Sequence, residues 1–81
     1  MVTERLAADV ADNPDVMVTV NGERRLAPAG SSLHDLVEAL GFAGRPVAVE
    51  VDGQVVSRGR FADRRLTGGE KIELVTFVGG G

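Results

Sequence analysis

One stretch, Ser32 to Phe42, fixes the kind of fold open to this chain. Leu33, Leu36, Val37 and Leu40 recur at i, i+3, i+4 and i+7, which lines four apolar side chains along one stripe of a helix. Ser32 precedes them as an N-cap, with Asp35 three residues on as its capping-box partner. Gly41 ends the helix in a left-handed turn, and Phe42 just beyond is placed to pack back on Val37. From Asp15 onward the other regular signals are strand signals, so a single helical stripe has to cover one face of one sheet.

The strands come as two hairpins and a final run. "DVMVTV" is rich in β-branched residues and leads into Asn21-Gly22, the strongest short-range hairpin signal, with "ERRLA" as the return strand. A strict two-residue loop would set Val18 opposite Arg25, a poor pair for a buried face. A three-residue loop with a bulge sets Val18 opposite Leu26 and Val20 opposite the stem of Arg24, and this bulged form is expected. "PAG" breaks the strand before the helix. After the loop "GRP", the run "VAVEV" alternates with Val47, Val49 and Val51 on one face, Asp52-Gly53 turns it, and "QVVS" returns. "RGRFADRRL" reads as irregular chain or one helical turn, with Phe61 and Leu66 tucked under the sheet. "KIELVTFV" follows the turn "TGGE" and is apolar enough on both faces to be central. A central last strand needs a neighbour on each side, so it should lie between the hairpins and parallel to the first strand. That order defines an α+β roll of the β-grasp (ubiquitin-like) type, a mixed sheet of about five strands covered by one main helix. The expected organisation is an N-terminal extension over 1–14, probed only by the weak helical stretch "TERLAADVA" and the turn signal "NPD", a β-grasp domain over 15–78, and a flexible glycine tail over 79–81.

Eighty-one residues suffice for one small domain, which hides only about 60% of its unfolded surface on folding. Aromatic residues make up 4% of the chain, with no Trp or Tyr, so Val, Leu and Ile must supply the core. Without Cys there is no disulfide framework and no thiol chemistry of the chain's own. No run of about 18 apolar residues is present to span a membrane, and the N-terminus lacks a basic start and an apolar stretch, so a cytoplasmic setting is expected. A net charge of −3 argues against nucleic acid as a main partner, because neutralising phosphates needs a basic surface. Arg58, Arg60, Arg64 and Arg65 are the local exception, either a solvated loop or a docking patch for an acidic protein surface.

Catalytic machinery is not evident. His34 is the only His and reads as a solvated surface residue. No Cys/His cluster can hold zinc, Asp52 and Asp63 fall in turns that favour Asp for backbone reasons, and neither "AGRP" nor "TGGEK" fits the phosphate-cradling pattern of a P-loop. What remains is the end, "TFVGGG". Glycines after a central strand have no side chains to pack and the greatest backbone freedom. Fraying is the plain explanation of such a run. The chemical one is that a glycine carboxylate, with no β-carbon beside it, can be threaded through a channel too narrow for other residues. Once activated, its unhindered carbonyl is open to a nucleophile.

From Met17 to Gly81 the chain resembles the sulfur-carrier proteins of thiamin biosynthesis, the ThiS family. The resemblance rests on "MVTVNGE", "AGSSLHDLVEALG", "VAVEVDGQVVSRGRF" and "GGEKIELVTFVGGG", in that order and spacing. It implies a carrier and not a catalyst, with no cofactor bound by the chain itself. An E1-like adenylyltransferase would use ATP and magnesium to adenylate Gly81. A persulfide sulfur donor would then displace AMP and leave a thiocarboxylate, to be delivered to a thiazole synthase or another sulfur-accepting enzyme. Gly81 would carry the sulfur and Gly79 and Gly80 would thread. The family ends on a pair of glycines, so Gly79 is a departure, as are the residues before Met17. Val75, Phe77 and Val78, with Arg58 and Arg60, are the expected docking residues. The same tail also fits a molybdopterin-type or secondary-metabolite sulfur carrier, a ubiquitin-like modifier joined to lysines, or an interaction module with an inert end.

Overall fold

The structure is a computed structural model and describes residues 14–77. The expectations for 1–13 and for Val78, Gly79, Gly80 and Gly81 lie outside these residues. The elements run β1 (Asp15–Val20), β2 (Glu23–Pro28), α1 (Leu33–Ala39), β3 (Val47–Val51), β4 (Gln54–Val56), a 3-10 turn (Arg58–Arg60) and β5 (Lys71–Thr76). The sheet order is β2-β1-β5-β3-β4. As expected, β5 is central, parallel to β1 and antiparallel to β3. It joins the two hairpins into one mixed sheet, the β-grasp arrangement.

The first hairpin corrects the expectation of a bulge. Val20 pairs with Glu23 and Val18 with Arg25, so the loop is the strict two-residue form. Asn21 and Gly22 both take positive φ, 50° and 86°, as a type I′ turn requires. The unfavourable Val18–Arg25 pairing is tolerated because β2 is an edge strand. Val18 is buried by β5 and α1, whereas Arg25 leans out at the sheet margin beside Glu23, 3.5 Å from its carboxylate.

Helix α1 has the predicted ends. The Ser32 hydroxyl accepts from Asp35 N–H and the Asp35 carboxylate accepts from Ser32 N–H, completing the capping box. At the other end Gly41 has φ 90°. Phe42 N–H donates to Val37 carbonyl and Gly41 N–H to Glu38 carbonyl, both at 3.0 Å, the paired bonds of a Schellman stop. Leu33, Leu36 and Val37 are buried, while Leu40 is half-buried near the open end.

The core lies between α1 and one face of the sheet. It gathers Val18, Val20, Val49, Val51, Ile72 and Leu74 from the strands, with Phe61 and Leu66 closing it from the segment after β4. That segment is fastened to the start of α1. Leu33 N–H donates to Arg64 carbonyl, His34 N–H to Phe61 carbonyl, and Leu66 N–H to Ser31 carbonyl. Burying each of these aliphatic side chains contributes about 1.5–3 kcal/mol. Before β5, Glu70 is buried, and its carboxylate accepts from Thr67 N–H, Thr67 hydroxyl and Gly68 N–H. Its backbone carbonyl accepts from Thr19 N–H at 2.9 Å, which fixes the level at which β5 meets β1.

Candidate functional site

The opposite face of the sheet is not covered by any described element. Register decides which residues stand on it. Beside β5, Lys71 lies opposite Asp52, Glu73 opposite Glu50, and Val75 opposite Ala48. Phe77 continues the row past the end of β5, its N–H donating to Pro46 carbonyl at 3.3 Å. Ile72 and Leu74 point the other way, into the core. Val75 and Phe77 therefore form an apolar step on the open face, 57% and 59% exposed, where the chain leaves the sheet towards its glycines.

The exit of β5 is held from both sides. On one side Pro46 pairs with Phe77. On the other, β1 has already turned away at Val20, and the Asn21 side chain takes over the role of a strand. Its Nδ2–H donates to Leu74 carbonyl at 3.0 Å and its Oδ1 accepts from Leu74 N–H at 2.8 Å. The tail thus begins from a firmly anchored strand end.

The expected docking arginines separate. Arg58 lies beside the end of α1, lining a cavity with His34, Glu38 and Phe42, and its guanidinium donates to the carbonyl of Arg45, the residue before Pro46. The Arg45 guanidinium lies 5.6 Å from the centre of the Phe42 ring, within cation–π range. Arg60 belongs elsewhere. With Arg64 and Asp63 it lines an open cavity of about 470 Å³ against Val55 and Val56, at the β4 edge. Sequence reading missed Arg45 and Asn21, whose roles depend on contacts between distant segments, and the opposed Glu50 and Glu73.

The described residues offer little for catalysis. They contain no group of three His, Cys, Asp or Glu able to hold a metal ion. His34 is exposed, its Nε2 3.8 Å from a Glu38 carboxylate oxygen. Among the described residues two carboxyls, Asp35 and Glu70, are displaced from their ordinary pKa values, both downward. Asp35 is lowered chiefly by the Ser32 N–H bond. Burial pushes Glu70 upward, but the N–H groups of Thr67 and Gly68 and the Thr67 hydroxyl outweigh it and hold the group below the usual glutamate value. Each is kept ionised by bonds that build the fold, the reverse of what a general acid near neutrality needs. No helix among the described residues is long and apolar enough to cross a membrane.

The described residues form a small β-grasp domain whose central strand ends at Thr76, five residues before the last glycine of the sequence. The model of the ThiS family matches residues 18–81, and the chain belongs to that family, whose members are small sulfur carriers rather than enzymes. The crystal structure of the thiamine biosynthesis protein ThiS from Geobacter metallireducens superposes with a TM-score of 0.68 at 30% identity, covering 82% of this chain and 100% of that one. Two curated relatives bear the name thiazole synthase. That of Magnetococcus marinus is 45% identical over 64 residues, 79% of this chain, and that of Paramagnetospirillum magneticum 36% identical over 64 residues. The chain spans 20% of the length of each. An uncharacterized protein of Porphyra purpurea is 28% identical over 69 residues, 85% of this chain and 97% of its own length.

Proposed function

We propose that this chain carries sulfur on the carboxylate of Gly81 for thiazole formation in thiamin biosynthesis. The observation that carries the reading is the placement of Val75 and Phe77. They are exposed apolar side chains at the end of an anchored central strand, four and two residues before Gly79 in the sequence, so a partner that grips them takes the tail as well. An E1-like adenylyltransferase using ATP and magnesium joins the Gly81 carboxylate to AMP and releases pyrophosphate. The terminal sulfur of a persulfide donor then attacks the acyl carbon and AMP leaves. A dithiol reductant cleaves the resulting S–S bond and is itself oxidised to a disulfide, leaving the thiocarboxylate on Gly81 and the donor's thiol free. The glycines carry no β-carbon to obstruct a narrow channel, and the chain has no Cys to intercept the acyl group.

The proposed acceptor is a thiazole synthase. The support is that a stretch like this one forms part of longer relatives bearing that name. The test is the intact mass of the protein recovered from cells. Exchange of one oxygen for sulfur at Gly81 is the expected result, abolished by deleting Gly81 while thermal unfolding stays unchanged. A branched lysine adduct would point instead to a protein modifier. A chain extended past Gly81 that is never trimmed would overturn the reading.

A further inference from the structure

Two exposed arginines, Arg45 and Arg58, meet through one backbone carbonyl next to Pro46, which pairs with Phe77. Residues 57–66 carry four arginines against one aspartate in a chain whose net charge is −3, and the structure separates them, with Arg65 donating to the Gly30 carbonyl. Arg58 bonds the carbonyl of Arg45, and the next carbonyl, that of Pro46, accepts from Phe77 N–H. Arg45 and Arg58 are therefore joined to the root of the tail through one short run of backbone. Arg60 and Arg64 face the cavity beside Val55 and Val56. Among the described residues, neither Arg45 nor Arg58 lies within 4.0 Å of a carboxylate, whereas Arg25 has Glu23 at 3.5 Å. Both are exposed.

We propose that Arg45 and Arg58 form a basic collar at the tail root that pairs with acidic side chains rimming the channel of the adenylating partner. The inference rests on the carrier reading and adds the charge of the surface that receives the tail. Residues 78–81 can reach no more than about 14 Å past Phe77 even when fully extended. A channel that brings Gly81 to ATP must therefore open within that distance of the exit, beside the Arg45–Pro46 backbone whose carbonyls take the Arg58 guanidinium and the Phe77 N–H. Its mouth is apposed to the collar whenever the tail is fully inserted. Carboxylates at that mouth complement the collar, speed encounter and set the register of insertion, while a basic mouth is repelled. The Arg45 contact with Phe42 limits the swing of its side chain, so less rotamer freedom is lost on pairing.

The test is ATP–pyrophosphate exchange with the purified E1-like adenylyltransferase of the organism that makes this chain. Arg45→Glu and the double variant Arg45→Glu/Arg58→Glu should raise KM for the carrier by about tenfold or more at low ionic strength, with kcat unchanged. The defect should shrink as salt is added, because rim charges are screened beyond about 8–10 Å at physiological salt. Arg60→Glu/Arg64→Glu, equal in charge change but on the cavity side, should move KM by less than about twofold. Since Arg58 also braces the Arg45 carbonyl, unfolding temperatures are measured for every variant, and Arg45→Glu alone decides if the double variant is unstable. An unchanged KM, a defect indifferent to salt, or an equal defect in the Arg60/Arg64 pair would overturn the collar. No exchange with the unaltered chain would remove the carrier reading and the collar together. Normal exchange by all variants would remove the collar alone.

Discussion

Glu50 and Glu73 stand directly opposite each other on the open face of the sheet, one in β3 and one in β5. Like charges at facing positions of an antiparallel pair repel, and no described basic group lies within 4.0 Å of either. Lys71 stands two residues before Glu73 on the same face of β5. Val55 lies opposite Glu50 on β4 and Val75 two residues past Glu73 on β5, so the face combines an electrostatic penalty with exposed hydrophobic surface. Glu50→Gln or Glu73→Gln should each stabilise the domain by about 0.5 kcal/mol, with the double variant gaining less than twice that. Chemical denaturation at low and high salt checks this, the gain diminishing as salt screens the repulsion. Loss of stability on both single replacements would mean that the carboxylates have partners.

Glu70 ties acid sensitivity to the β1–β5 junction. Its pKa is lowered in the folded chain, so the unfolded chain binds the proton more tightly. The stability it contributes is present above the unfolded glutamate value and is lost as pH falls through the lower, folded one. Glu70→Gln places an amide nitrogen among donors from Thr67 and Gly68. The expected cost is about 1–3 kcal/mol at neutral pH. The gap between variant and parent should narrow as the solution is acidified below the ordinary glutamate range. A gap of constant size across that range would show that the carboxylate charge is not what the turn uses.

Asn21 offers a local test of how the tail root is anchored. Its side chain closes two bonds to Leu74 across 53 residues of sequence, while its backbone holds φ 50°. Asn21→Gly keeps the turn and removes only the clamp, so the loss should be about 1–2 kcal/mol, less than for Asn21→Val, which also strains the turn. Hydrogen exchange gives the sharper readout. The Leu74 amide should exchange faster in Asn21→Gly, whereas the Ile72 carbonyl's bond to the residue-21 N–H, 2.8 Å in the parent, is retained. Equal protection of Leu74 in both proteins would show that the clamp contributes nothing to strand order.

The parts of this fold that were legible in the sequence are those decided within a few residues. Ser32 and Asp35, Gly41 and Phe42, and the Leu33–Leu36–Val37 stripe answer to helix geometry alone, and the helix follows them. The central place of β5 was legible because its alternation offers Ile72 and Leu74 to one face and Val75 and Phe77 to the other. The first hairpin takes the strict two-residue loop and not the expected bulge, because the pairing of Val18 with Arg25 is costly only in isolation. Only the sheet order shows that Arg25 sits at an edge, where a charged side chain reaches water. The meeting of Arg58 with Arg45, and of Asn21 with Leu74, depends on the assembled sheet and leaves no periodic trace. The exposure of Val75 and Phe77 was half-legible: alternation separated the two pairs, but not which of them the helix would cover.

Those two side chains also separate folding from recognition. Val75 and Phe77 are more than half exposed, so Val75→Ser and Phe77→Ser remove little packing and should leave unfolding within about 0.5 kcal/mol of the parent. On a partner's surface the same groups become buried, and a large aromatic at the centre of an interface is the kind of residue that dominates binding. The Phe77→Ser variant should therefore raise KM for adenylation by about tenfold to a hundredfold, and Val75→Ser by less, with kcat preserved because Gly81 itself is untouched. Unlike the Arg45 defect, this one should persist or deepen in high salt, since burial of apolar surface is not screened. If Phe77→Ser were adenylated as well as the parent, the apolar step would not be the grip, and the partner would have to hold the tail by its glycine backbone alone.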